Sequence, residues 1–206
     1  MGNTKLEIST QARILFNEKG YTNVSLREIA KAAGTTIGNL TYHFPQKEDL
    51  LLSIQDNLYT DFLTDLFEKK ELLDGKDLLN IIINSFTKIK KNRNENEFFY
   101  RSIISLCTES PIIAKNVEDF QKRIFHFYFE SFLKLKKSAI LRNDIADEQY
   151  QTLAYIMVYM SYLWIQEATP YYDPSLPQIE VDTGFQHLIY PYLTKKGIED
   201  YSAMVK

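Results

Sequence analysis

Between Ser25 and Leu50 the chain reads SLREIAKAAGTTIGNLTYHFPQKEDL, two short helical patterns that meet at Gly34. Ser25 and Glu28 have the spacing of a capping box, in which a hydroxyl and a carboxylate satisfy each other's free backbone amides. Leu26, Ile29, Ala30 and Ala33 then recur at helical spacing and give one narrow apolar face. Its small alanines leave room for a second helix to cross closely. Gly34 stands where the chain must leave the first helix, and glycine takes the left-handed geometry of such a stop without a side-chain clash. Thr35 and Thr36 can cap the next helix, expected from Ile37 to about His43, with Leu40 and Phe44 as its inward seam. Gly38 inside so short a helix costs roughly 1 kcal/mol relative to alanine, which points to close approach by some other surface. Pro45 ends it, having no amide to donate. The segment predicts a helix-turn-helix.

The polar face left over carries Thr36, Asn39, Tyr42 and His43, with Lys47 at the start of the following helix. Short hydrogen-bonding groups, a phenol, an imidazole and a cation suit phosphate oxygens and base edges in a major groove. Periodicity alone is equally compatible with the solvated face of an ordinary helical hairpin, because this geometry recurs without DNA.

A wider set of residues carries a family resemblance. Phe16, Gly20 and Tyr21, Ile29 and Ala30, Ala33 and Gly34, Gly38, Leu40, and the run Tyr42, His43, Phe44 through Lys47 and Leu50 together resemble the N-terminal DNA-binding domain of the TetR family of bacterial transcriptional regulators. The resemblance implies an all-α protein with a three-helix DNA-binding domain over residues 1–46 and a larger helical ligand-binding and dimerisation domain over residues 47–206. It implies a ligand-responsive regulator, expected to be a repressor, that binds a palindromic operator as a homodimer and is released by a small hydrophobic or aromatic effector. Its DNA-facing positions here would be Ser25, Arg27, Thr35, Thr36, Ile37, Gly38, Asn39, Thr41, Tyr42, His43 and Lys47. Three of these depart from the family's usual pattern. Thr35, Ile37 and Thr41 stand where an apolar residue, a polar or basic residue and a second tyrosine are common. Ile37 could touch a thymine methyl or pack against a neighbouring side chain, and the operator cannot be carried over from relatives.

A formal net charge of -3 argues against a surface coated in positive charge, so DNA contact must come from a local patch such as Arg27, Lys31 and Lys47. One cysteine, Cys107, excludes an internal disulfide framework and fits a reducing cytoplasm. The start MGNTKLEIS lacks the apolar core of a secretory signal, and no apolar run is long enough to cross a bilayer. A cytoplasmic protein is expected. The histidines His43, His126 and His187 fit no metal-ligand spacing, and neither a glycine-rich phosphate loop nor a GxSxG nucleophile motif occurs. Neither a cofactor, a metal nor catalysis is therefore expected, and His126, among phenylalanines, reads as a core or pocket residue.

Beyond Lys47 apolar residues recur at three and four, which predicts helices over about 46–70, 77–90, 98–108, from Ser110 and Pro111 onward, 147–168 and 182–194. The run from Lys90 to Glu97, with no apolar residue, reads as a solvated connection. The helix from Asp147 is apolar nearly all round and needs two partners. By the family resemblance, the last two helices pair with a second copy, through Met157, Trp164, Phe185, Leu188 and Ile189. Pro191 should end or kink the final one. The chain holds 14 Tyr and 13 Phe, and mixed apolar walls with a few hydroxyls are how small-molecule pockets are built. Phe62, Phe86, Tyr100, Cys107, Phe127, Tyr128, Tyr155 and Tyr159 are the candidates for the family's effector site. The alternative reading is a cytoplasmic small-molecule binding protein on a helical bundle, without ligand-coupled DNA release.

Overall fold

A computed structural model describes residues 2–67, 73–163, 175 and 181–204. The chain is all-α. Ten α-helices follow one another among the described residues: α1 (Gly2–Lys19), α2 (Leu26–Ala32), α3 (Ile37–His43), α4 (Lys47–Phe67), α5 (Gly75–Glu95), α6 (Glu97–Glu109), α7 (Pro111–Lys137), α8 (Asp147–Leu163), α9 (Val181–Ile189) and α10 (Lys195–Met204). Leu141 and Leu193 form an isolated β-bridge, and no strand occurs among the described residues. No helix there is long and apolar enough to cross a membrane.

The chain forms two compact units. One comprises residues 1–61 and 93–113, the other residues 62–92 and 114–206. The first unit holds α1, α2, α3, most of α4 and α6. Its core is Ile8, Ala12, Phe16, Ile29, Leu40, Phe44, Leu50, Leu51 and Phe99, residues that recur at three and four along their helices and so present one apolar stripe each.

The second unit is built on α5, α7 and α8. Leu78, Leu79, Ile82, Ile83, Phe86 and Ile89 line one face of α5 and join Ile124, Phe127, Tyr128, Phe132 and Leu135 of α7 in a single cluster. Tyr150, Leu153, Ala154, Met157 and Val158 of α8 complete it. His126 falls on the opposite side of α7 and is exposed, which corrects the core or pocket reading.

Two boundaries differ from the sequence expectation. The polar run 90–97 is not a solvated connection: α5 continues to Glu95, and Arg93 and Asn96 are buried. The chain also has one helix more than expected at its end. Pro191 confines Tyr190–Tyr192 to a 3-10 turn as expected, but Thr194 then caps α10 by accepting from the Gly197 amide at 3.1 Å. The predicted ends at Lys70 and Ala168 lie outside the described residues.

The end of α7 is pinned to this terminal segment. Ile140 donates to Leu135 O (3.0 Å) and Ala139 to Lys136 O (3.1 Å), a Schellman stop that places Ala139 in the left-handed region at φ 55°. Thr194 N reaches Ile140 O at 2.9 Å, and Gly197 lies so close that a Cβ there would meet Ile140 O at 2.2 Å. Replacing Ala139 by glycine should therefore stabilise the protein by about 1 kcal/mol, since alanine bears the left-handed penalty. Gly197→Ala should cost about 1–3 kcal/mol, because the atom it strikes is backbone. Urea denaturation of both variants reads the two opposite signs.

Candidate nucleic-acid interface

α2 and α3 are set by caps and by one turn. Ser25 Oγ accepts from Glu28 N at 3.3 Å, while Ser25 N and Oγ donate to Glu28 Oε2 at 2.9 and 2.8 Å, a complete capping box. Lys19 Nζ donates to the other carboxylate oxygen at 3.0 Å. These partners hold the exposed Glu28 carboxyl at about 2 against its ordinary 4.5, the Ser25 amide contributing most. Gly34 has φ +62°, and Thr35 N returns to Ala30 O at 2.9 Å, which closes α2 and turns the chain into α3. Leu40 and Phe44 are buried as the inward seam, and Lys5 Nζ lies 5.6 Å from the centre of the Phe44 ring.

The opposite face of α3 is solvent-facing. Thr36, Gly38 and Asn39 are exposed, Ile37 is 42% exposed and Tyr42 78%, while His43 is half-buried with its ring 5.2 Å from that of Tyr42. Several of the polar groups already have intrachain roles. Thr36 Oγ1 caps the helix by accepting from Asn39 N (3.1 Å), Asn39 Nδ2 donates to Thr35 Oγ1 (2.7 Å), and Thr41 Oγ1 donates back to Ile37 O (3.0 Å) and Gly38 O (3.2 Å). A Cβ added at Gly38 would meet nothing within 4 Å, so no part of the chain approaches it. Arg27 and Lys31 are exposed on α2.

Lys47 behaves differently from a free cation. Its Nζ donates to the carbonyls of Tyr21 (2.8 Å), Val24 (2.9 Å) and Thr22 (3.4 Å) and sits 4.4 Å from the centre of the Tyr21 ring. Burial pushes its pKa down. Sequence alone gave no sign of these acceptors, because the carbonyls belong to an irregular loop some two dozen residues earlier.

Comparison with known proteins agrees with this geometry. Residues 8–54 match the model of bacterial regulatory proteins of the tetR family, and residues 59–201 match that of a bacterial transcriptional repressor. The chain belongs to the TetR family of bacterial transcriptional regulators. Among TetR-family relatives it is 25% identical over 181 residues to the probable HTH-type transcriptional regulator YttP of Bacillus subtilis, spanning 84% of this chain and 85% of that one. A TetR-family regulator from Marinobacter aquaeolei superposes with a TM-score of 0.73 at 19% identity, over 97% of this chain and 96% of that chain. A regulator structure from Saccharomonospora viridis in complex with choline superposes at 0.71 with 20% identity, over 95% and 100% respectively.

The TetR-family reading head is tied to α5 and α6 by contacts that sequence reasoning missed. Asn17 Nδ2 donates to Glu95 O at 2.8 Å and Asn17 Oδ1 accepts from Phe98 N at 3.1 Å, so one carboxamide spans the α5–α6 corner. Arg13 Nη1 donates to the same carbonyl at 2.9 Å, and the Phe16 and Phe98 rings lie 5.2 Å apart. Glu48 and Ser110 are hydrogen-bonded. Deeper in the unit, Gln55 Nε2 donates to Tyr59 Oη (3.3 Å) and Ile113 O (3.4 Å), and the Arg93 guanidinium lies 5.6 Å from the Tyr100 ring. Burial pushes the Tyr100 phenol up and the Arg93 guanidinium down. The sequence carried no signal for this network, since the run from Lys90 to Glu97 has no apolar residue.

The remaining candidates for the effector site are distributed over both units. Tyr100 and Cys107 belong to the first, where burial raises the half-buried Cys107 thiol. Phe86, Phe127 and Tyr128 are buried in the second, with the Phe86 and Tyr128 rings stacked at 6.0 Å and Tyr128 Oη 2.9 Å from Ser85 Oγ. Tyr155 and Tyr159 lie on the exposed side of α8, ring centres 4.4 Å apart. The Phe62 side chain is outside the described residues, as are Trp164 and the Phe185 side chain among the interface candidates. Met157 and Ile189 are buried in the chain's own core, and Leu188 packs partly against it, so none of these three faces outward freely.

Glu28 makes the cap of α2 pH-dependent. Its carboxyl is held below its unfolded value, so the cap's contribution is present above about 4.5 and is lost as pH falls toward about 2. Amide exchange at Ser25 and Glu28 should rise across that window in the wild-type protein. In Glu28→Gln, whose carboxamide oxygen can still accept from the Ser25 amide, the protection of these amides should stay constant across the window, once the intrinsic pH dependence of exchange is divided out.

Proposed function

We propose that this TetR-family regulator is a repressor that binds a palindromic operator as a homodimer and is released by a small, uncharged, largely apolar or aromatic effector. The observation that carries the reading is the exposed face of α3, where Tyr42 projects beside His43 from a helix fixed by its own caps. Tyr42, His43, Thr36, Asn39 and the close-approach surface of Gly38 would meet DNA directly. Ser25 and Thr41 act by holding backbone, Thr35 acts by orienting the Asn39 carboxamide, and Arg27 lies within reach of phosphate. Lys47 acts by clamping the loop from Tyr21 to Val24 under the helix pair.

Two features support the partner and effector assignments. Tyr155, Ile156 and Tyr159 form an exposed apolar row on α8, suited to burial against a second copy, and a two-fold dimer would present two copies of α3 to successive major grooves. In the second unit the buried polar side-chain groups among the described residues are hydroxyls, those of Ser85, Ser131 and Ser161 and of the buried Tyr128 and Tyr150, with no buried charge. An ionic effector placed there would lack a counter-charge, whereas an apolar one with a single hydrogen-bonding group would be accommodated. Ser131 Oγ has no hydrogen-bond partner among the described residues and is such a group's natural counterpart.

Promoter DNA flanking the gene, titrated by fluorescence anisotropy, tests the reading. Tyr42→Ala with His43→Ala should weaken specific binding roughly a hundredfold toward the nonspecific level and leave effector-induced thermal stabilisation intact. Specific binding retained in that variant would refute the assignment. Effectors that raise the melting temperature yet never change DNA affinity would refute ligand-coupled release and favour a binding protein without it. Lys47→Met should lower thermal stability while leaving the slope of log affinity against log salt unchanged; a slope reduced by about one would make Lys47 a phosphate contact instead.

A further inference from the structure

We infer that Ile37 reads the 5-methyl group of a thymine, so that the base pair beneath the first turn of α3 is specified as A·T by an apolar contact. The inference rests on the DNA-binding reading above and names what that face recognises. Ile37 is the first residue of α3 and 42% exposed, and with Tyr42 it is the large apolar surface that this helix leaves in solvent. Packing against neighbours therefore leaves much of the side chain uncovered.

Its surroundings narrow the chemistry. The hydroxyl of Thr41 is donated back to Ile37 O and Gly38 O, Thr36 Oγ1 accepts the Asn39 amide, and Asn39 is tied to Thr35. These bonds fix the first turn yet leave Thr36 and Asn39 able to reach base edges, whereas Ile37 has no hydrogen-bonding atom in its side chain and can contact DNA there only through its methyl groups. Gly38, next to Ile37, has nothing within 4 Å of a would-be Cβ, so the backbone here can come close to another surface. Isoleucine is branched at Cβ and held to essentially one χ1 rotamer in a helix, which fixes its methyl groups before contact. The thymine methyl is the one apolar group that base edges present in a major groove. Covering about one methyl per half-site corresponds to roughly threefold in affinity, and about tenfold for both halves of a symmetric site.

The test replaces each thymine of the preferred operator in turn by deoxyuridine, symmetrically in both half-sites, after selecting that operator from a randomised DNA library. Affinities are measured for the wild type, Ile37→Ala and Ile37→Val, each checked for an unchanged melting temperature. At one thymine position deoxyuridine should weaken wild-type binding about tenfold. Ile37→Ala should bind the thymine operator about tenfold more weakly than wild type and lose the distinction between thymine and deoxyuridine, and Ile37→Val should keep most of it. An equal deoxyuridine penalty in the wild type and in Ile37→Ala would overturn the assignment, as would an operator with no methyl-sensitive position. Failure of the library to yield any preferred sequence for the wild type would instead sink the DNA-binding reading, and the assignment with it.

Discussion

The residues offered to DNA stand on α2 and α3, helices of seven residues each, well short of the roughly 12–15 at which an isolated helix becomes even marginal in water. Every one of them is held by packing and capping. Ile29, Ala30, Leu40 and Phe44 supply the packing. Ser25, Glu28 and Thr36 satisfy the free amides, and Gly34 sets the angle at which one helix leaves the other. Lys47 then fastens the loop that precedes α2, replacing the donors those carbonyls would otherwise lack. Remove that support and the exposed face of α3 has no fixed geometry to present.

The same first unit draws in chain from far along the sequence. Asn17 satisfies a carbonyl at the end of α5 and an amide at the start of α6 with a single carboxamide, so α1 and the α5–α6 corner hold each other in register. Buried Gln55, Arg93 and Asn96 add a polar interior to this unit. The second unit is different in kind: its interior is aromatic and aliphatic, relieved only by hydroxyls among the described residues. A polar, hydrogen-bonded interior specifies one arrangement, while an apolar one tolerates an apolar guest.

What could be read in advance was what local chemistry decides. The capping box at Ser25 and Glu28, the left-handed stop at Gly34, the start of α7 at Pro111 and the arrest at Pro191 all depend on neighbours within a few residues, and each was visible in the sequence. The contacts of Lys47 and Asn17 were not, because their partners lie 26 and 81 residues away. The run from Lys90 to Glu97 misled for a related reason: Arg93 and Asn96 are buried only because tertiary neighbours surround them, and composition alone places such residues in solvent. α10 escaped notice because its buried residue is Gly197, which carries no apolar signal, and its packing row is only Ile198, Tyr201 and Met204, each partly buried.

The exposed face of α3 is the surface proposed here to meet DNA. Backbone amide chemical shifts recorded before and after adding promoter DNA address it directly. The largest perturbations should fall on Thr36 to His43, with smaller ones at Arg27 and Lys31 and none centred on the buried stretch of α7. A perturbed surface elsewhere, with the α3 amides unmoved, would contradict it.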